Sequence, residues 1–193
     1  MDKLTLATSK AVKNAKTEVQ KWEQTCDACQ GYLSSLENLS EQLKCCSVSK
    51  IENTPLGMQF PNVKEKLNLK LYQEVDICLN CMTEKLITLK TCQRNFQKSA
   101  EKFCRDVKGA NPENLKWSAT SPSPSDVSLW LFELSQHMNI QVAEKQALLC
   151  SVPPLQVTDD PSKNINTFVR HWKKHEKLQK YMDEITEYTS NYT

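Results

Sequence analysis

Two stretches of this chain repeat an apolar side chain at intervals of three and four residues, and few folds accommodate that pattern over such lengths. The first runs through Val12, Ala15, Val19, Trp22, Cys26, Cys29, Leu33 and Leu36, and Leu39 and Leu43 carry the face onward past Ser40. The second runs through Val63, Leu67, Leu71, Val75, Leu79, Met82, Leu86 and Leu89, then Phe96, Ala100 and Phe103, with Cys92 beside a lapse near Gln93. Intervals of three and four mark one face of an α-helix, the seam by which it packs lengthwise against another helix. Each run covers about 40 residues, or about 60 Å of helix. An antiparallel hairpin is the simplest way to bury both seams. Its connection is a predicted loop from Ser47 to Phe60, marked by Asn53-Thr54-Pro55 and Gly57. Pro61 suits the first turn of the second helix, where a missing N–H costs nothing. Gly31 falls inside the first run and costs about 1 kcal/mol there relative to alanine, which makes it a candidate kink.

Beyond the hairpin the periodicity lapses from Asp106 to Pro122, where Gly109, Asn111-Pro112 and Ser-Pro repeats read as a linker. Trp117 within it is expected to dock back onto the helices. Ser123-Pro124-Ser125-Asp126 has the form of a helix start, with a serine cap, proline at the first position and an acid at the third. A third helix follows on Val127, Trp130, Leu131, Leu134, Met138, Val142 and Leu149, its apolar face broadened by Leu129 and Phe132 and its end set by Pro153-Pro154. A fourth carries Ile165, Phe168, Val169, Trp172, Leu178, Met182 and Ile185. No β alternation of useful length is present. The expected fold is all-α: a long antiparallel helical hairpin over 1–105, a linker over 106–122 and a smaller helical C-terminal part over 123–193.

Composition narrows the function classes. Glycine occurs only 3 times in 193 residues, and phosphate loops and dinucleotide turns both require it where the backbone meets a ligand. The formal charge of +2 is too weak to make nucleic acid or an anionic membrane the main partner. No apolar run approaches the length of a membrane helix, and the polar start Met1-Asp2-Lys3-Leu4 lacks the form of a secretory signal. The sequons at Asn38 and Asn191 therefore carry no expectation of glycosylation. Nine cysteines, an odd number with Cys45 and Cys46 adjacent, do not form a disulfide framework and point to a reducing compartment, the cytoplasm and nucleus.

Several groups invite a chemical reading, and each has a stronger structural one. Cys26-Asp27-Ala28-Cys29 and Cys78-Leu79-Asn80-Cys81 are two CxxC pairs whose thiolates could hold zinc tetrahedrally. Both lie inside helical runs, Cys26 and Cys29 sit on the seam, and Cys81 points away from it, so packed free thiols are expected. His171 and His175 share a helix face but lack a third ligand and neighbour Lys173 and Lys174. Arg170, Lys173, Lys174, Lys177 and Lys180 surround Trp172, a combination that could touch RNA, yet Trp172 also falls on the apolar stripe. His137 has no neighbouring nucleophile. Ser121 and Ser123 precede prolines as kinase sites do, although capping explains Ser123. No catalytic, cofactor-binding or metal-ligating residue is assigned, and no enzyme is expected.

Three stretches resemble one family. Residues 29–43, Cys29-Gln30-Gly31-Tyr32-Leu33 through Glu41-Gln42-Leu43, are similar to the first helix of the AIRIM family of ribosome-maturation factors. Phe60-Pro61-Asn62-Val63-Lys64-Glu65-Lys66-Leu67 resembles the start of its second helix, and residues 118–123 with Trp130, Leu131, Lys145, Leu148 and Leu149 resemble its third. Gly31, where that family's pattern has proline, and the abundance of cysteine depart from it, which bears on the straightness of the first helix. The resemblance implies a non-catalytic adaptor in a complex with a hexameric AAA+ ATPase and a CINP-like helical protein. That complex strips a shuttling factor from large-subunit preribosomes and is also attributed a role at replication forks. Contact with the preribosome would be indirect, and no membrane or direct nucleic-acid partner is implied. The rival readings are a helical RNA-binding assembly protein using the Arg170–Lys180 face and a self-associating coiled-coil scaffold.

Overall fold

The computed structural model describes residues 3–111, 122–152, 160–174 and 178–189. The helices are α1 (Lys3–Ala28), α2 (Gln30–Val48), α3 (Pro55–Gln59), α4 (Val63–Lys108), α5 (Pro124–Ser151), α6 (Pro161–Lys173) and α7 (Leu178–Tyr188), with a 3-10 turn at Ile51–Asn53. The described residues contain no strand, and none of their helices is long and apolar enough to cross a membrane.

The residues gather into two compact units. One comprises Met1–Asp27, Ile87–Ala143 and Glu176–Thr193; the other comprises Ala28–Leu86 and Glu144–His175. Within the first, α1 and the later part of α4 run antiparallel: Ala7 and Lys10 lie by Phe103 and Asp106, and Glu18 lies by Cys92. The seam residues Val12, Ala15, Val19, Trp22, Cys26, Leu89, Phe96, Ala100 and Phe103 are all buried. Val127, Leu131, Leu134 and Met138 of α5 are buried too, as are Leu178, Met182 and Ile185 of α7.

Within the second unit, α2 and the earlier part of α4 are likewise antiparallel, with Cys29 near Lys85, Tyr32 bonded to Cys81, and the Lys64 ammonium donating to the Ser49 carbonyl at 2.8 Å. Its core joins Leu33, Leu36, Leu43, Leu71, Val75 and Met82 to Ile165, Phe168, Val169 and Trp172 of α6. Ser40, which interrupts the apolar stripe of α2, is fully buried, and its hydroxyl donates to the Ser162 carbonyl in the first turn of α6 at 2.9 Å. A small hydroxyl there allows close approach of the two helices and leaves no buried donor unpaired.

Local chemistry sets the helix starts. At α5 the Asp126 N–H donates to Ser123 Oγ at 3.2 Å, while the Ser123 N–H and hydroxyl both donate to the Asp126 carboxylate, at 3.0 and 2.7 Å. This is the reciprocal capping read from the sequence. Thr54 caps α3 by accepting from the Gly57 N–H at 3.2 Å, with Pro55 in the first turn, and the Asp160 side chain caps α6.

Other expectations need correction. The Ser47–Phe60 connection holds a 3-10 turn and α3 rather than only a loop. Pro61 stands just outside α4, in a turn closed by the Val63 N–H donating to the Phe60 carbonyl at 3.0 Å. Leu67 is exposed and Leu79 only partly buried, because Cys78 takes the buried position there. Leu129 and Phe132 do not broaden the core; both are more than half exposed. The expected fourth helix is two, since Lys174 turns to extended backbone after α6. Trp117, Ser121, Pro153-Pro154, His175 and Lys177 lie outside the described residues.

The expected kink near Gly31 appears as a one-residue interruption at Cys29, which keeps right-handed helical angles. Gly31 itself has no positive φ, and a Cβ there would meet nothing within 4 Å. Gly31→Ala should therefore raise stability by about 0.5–1 kcal/mol, chiefly by restricting the unfolded chain. A thermal melt checks this, with a modest rise in Tm expected.

Candidate interaction surface

α5 carries apolar side chains all round, an arrangement that needs cover on more than one side. Val127, Leu131, Leu134, Met138 and Val142 are buried, whereas Leu129, Phe132 and Ile140 are 55%, 53% and 56% exposed. At about 100° per residue, the buried set and the exposed set fall on opposite faces of the helix. Single exposed leucines are ordinary on a protein surface; three large apolar groups aligned on one face are not. Phe132 also lines a recess with Ala100, Cys104, Arg105 and Lys108 of α4. A second exposed apolar cluster, Leu56, Met58 and Phe60, lies on and just after α3.

The groups with candidate chemistry are placed in structural roles. Trp172 is 3% exposed, packs on Phe168 with ring centroids 5.5 Å apart, and sits beneath the Lys145 ammonium, 4.8 Å from the ring centroid. Lys145, itself 3% exposed, donates to the Trp172 carbonyl at 3.1 Å. A buried ammonium is costly unless compensated. Here it meets the negative end of the α6 dipole and the face of an indole. Lys145 belongs to the stretch resembling the third helix of the AIRIM family, and only the fold reveals that it closes the end of α6. Of the basic residues around Trp172, Lys173 is paired with Glu37 at 2.6 Å. Arg170, Lys174 and Lys180 are exposed and His171 is solvent-facing.

The cysteines divide by burial. Cys26, Cys29, Cys46, Cys78 and Cys92 are buried, Cys81 and Cys104 partly so, and Cys45 and Cys150 are exposed. Among the described residues, no group of three or more His, Cys, Asp or Glu side chains is arranged to hold a metal ion. Burial pushes the Cys29 thiol up, opposed by the Lys145 and Lys85 charges and by a hydrogen bond from Trp172. Burial likewise raises Cys78, reinforced by Cys81 and Glu74, and raises Cys92, reinforced by Glu18.

The family model described as "Ribosome biogenesis protein C1orf109-like" matches residues 2–187. The chain belongs to this family. Among the relatives of this C1orf109-like chain is the AFG2-interacting ribosome maturation factor of Homo sapiens, 30% identical over 161 residues, 78% of this chain and 79% of that one. The protein of the same name in Mus musculus is 28% identical over 140 residues, covering 68% of this chain and 63% of the mouse protein. The Xenopus tropicalis counterpart is 27% identical over 166 residues, 80% of this chain and 75% of its own length. The C1orf109-like match spans both compact units and includes α5 with its exposed face.

The thiol environments have a measurable consequence. The fold favours the neutral thiol at Cys29, Cys78 and Cys92, so this stabilisation is present below the ordinary thiol range, about pH 8.5. It is lost as pH rises through the raised folded values. In reducing buffer Tm should fall above about pH 8.5, less steeply when all three are replaced by alanine. A thiol reagent at neutral pH should modify Cys45 and Cys150 rapidly and the buried five only on unfolding.

Proposed function

We propose that this chain is a non-catalytic adaptor that joins a AAA+ ATPase to large ribosomal subunit maturation, through an interface built on the outer face of α5. The observation that carries this reading is the exposed apolar line of Leu129, Phe132 and Ile140, opposite a fully used core face, in a family whose relatives are named for interaction with AFG2 and for ribosome maturation. Large apolar groups aligned on a helix are what a partner's helix covers. The energy for remodelling would come from the ATPase, in keeping with the absence of a glycine-rich phosphate loop from the sequence. The finer features are part of the same proposal: a hexameric ATPase, a CINP-like helical protein as second partner, release of a shuttling factor from late precursors, and action in nucleus and cytoplasm. A further role at replication forks would use the same assembly.

The RNA-binding rival is weakened by its own residues, because Trp172 is buried beneath Lys145 and Lys173 is engaged by Glu37. The ring is not presented to a base.

Affinity purification of the tagged full-length chain should recover a AAA+ ATPase and a small helical protein in stoichiometric amounts. The triple variant Leu129→Ser, Phe132→Ser, Ile140→Ser should keep its melting temperature within a few degrees, because these side chains are exposed, yet lose the ATPase. Recovery of RNA without ATPase in mild buffers would replace the adaptor reading with the RNA-binding one.

A further inference from the structure

Beside the exposed face of α5, two aromatic pairs face each other across α5 and α7. Trp130 of α5 meets Tyr188 of α7 with ring centroids 5.9 Å apart and planes at 44°. His137 of α5 meets Tyr181 of α7 at 6.0 Å, nearly parallel at 15°. Trp130 and His137 are seven residues apart on one helix, and Tyr181 and Tyr188 are seven apart on the other. The helices are therefore antiparallel there and the two pairs stand two turns apart, about 10 Å along the axis. Between the pairs lies a cavity of about 240 Å³, with Leu134 and Ile185 also lining it and Glu133 and Glu184 placed midway on the two helices. Leu134 and Ile185 are buried, whereas Tyr181 and Tyr188 are 44% and 63% exposed. The pocket thus has an apolar base, aromatic walls at each end and carboxylates between them.

We infer that this pocket receives a single cationic side chain, a lysine or an arginine, presented by a partner protein. Three features of the site point to that ligand. Aromatic faces are electron-rich and attract cations, most strongly where water is partly excluded. Two carboxylates line the pocket and, among the described residues, no lysine or arginine does, although the chain as a whole carries a net charge of +2, so the local sign is the reverse of the global one. The volume falls below the range of about 300–1,000 Å³ typical of pockets for cofactors and drug-sized ligands, which suits one side chain rather than a nucleotide. An arginine could stack its guanidinium on a ring and pair with Glu133 or Glu184, while a lysine ammonium could rest between the walls. The exposed Leu129 and Ile140 lie on the same helix, just before Trp130 and just after His137, so an apolar segment laid along α5 and bearing one basic residue would reach both.

That the cation arrives on a partner protein rests on the adaptor reading; that the pocket binds a cation does not. The full-length protein would be titrated in NMR experiments with blocked amino acids, namely N-acetyl amides of arginine, lysine, trimethyl-lysine and citrulline, the last a neutral counterpart of arginine. The Trp130 indole signal, assigned by its loss in Trp130→Phe, is the readout, and the indole signals of Trp22 and Trp172 report that the fold is intact. Saturable shifts with at least one cationic probe are expected, with citrulline binding at least tenfold more weakly than arginine or, if lysine is preferred, than either lysine form. The double variant Glu133→Gln, Glu184→Gln should weaken that binding about tenfold, and Tyr188→Ala should abolish it with the other indole signals unmoved. Citrulline binding as tightly as the best cation, unchanged binding after loss of both carboxylates, or no saturable shift from any probe would each overturn the inference. Cation binding without recovery of an ATPase would leave the pocket standing and remove the adaptor; recovery of the ATPase without cation binding would do the reverse.

Discussion

A helix of 46 residues with one apolar seam holds together in water only if that seam is covered along its length, because backbone hydrogen bonding contributes too little by itself. Everything else in this molecule follows from covering α4. Helices α1 and α2 supply a matching seam in antiparallel order, and the residues placed at the three-four positions, from Val12 to Leu43 and from Leu71 to Phe103, are with few exceptions buried. The helices that follow complete what two helices cannot enclose. α6 closes over α2 through Ile165, Phe168, Val169 and Trp172, and α5 and α7 contribute Leu131, Leu134, Met138, Leu178 and Met182 to the other unit. Two polar groups in these cores meet partners, Ser40 at the Ser162 carbonyl and Lys145 at the end of α6, whereas the buried Trp22 indole nitrogen has no hydrogen-bond partner among the described residues.

Once those seams are buried, apolar side chains remain that the core does not use. On α5 they form a line opposite the buried face, and on α7 the outward tyrosines pair with Trp130 and His137. An adaptor needs this kind of surplus: a rigid helix whose inner face is fixed by its own fold and whose outer face is available. The sheltered polar clusters found here, around Lys145 and Trp172 and around Ser40 and Ser162, are engaged with helix ends and backbone carbonyls.

The helical hairpin, its antiparallel order and the capping of α5 were legible in the sequence because each rests on local spacing: a period of 3.6 residues and a Ser-x-x-Asp start. The burial of Cys26, Cys29 and Trp172 was legible for the same reason. Spacing cannot report what lies across from a helix, and the misread positions share that cause. Leu129 and Phe132 have the periodicity of core residues, yet both are more than half exposed, Phe132 at a recess it shares with α4. Leu67 belongs to the stripe but lies in the first turns of α4, where it is 42% exposed. The aromatic pocket was not foreseen, since Trp130 and Tyr188 are 58 positions apart and only antiparallel packing of α5 against α7 brings them to 5.9 Å. Lys145 was visible only as part of a family resemblance; its burial against the end of α6 depends on a helix that begins 16 residues later.

The central claim, that the outer face of α5 meets the ATPase, is tested most directly by placing a photoreactive phenylalanine analogue at single positions of the full-length chain in its purified complex. Position 132 should cross-link to the ATPase, as should positions 129 and 140, whereas position 45, exposed on α2, should not. Cross-links confined to positions 56, 58 and 60, with none from 129, 132 or 140, would contradict the account and move the interface to α3.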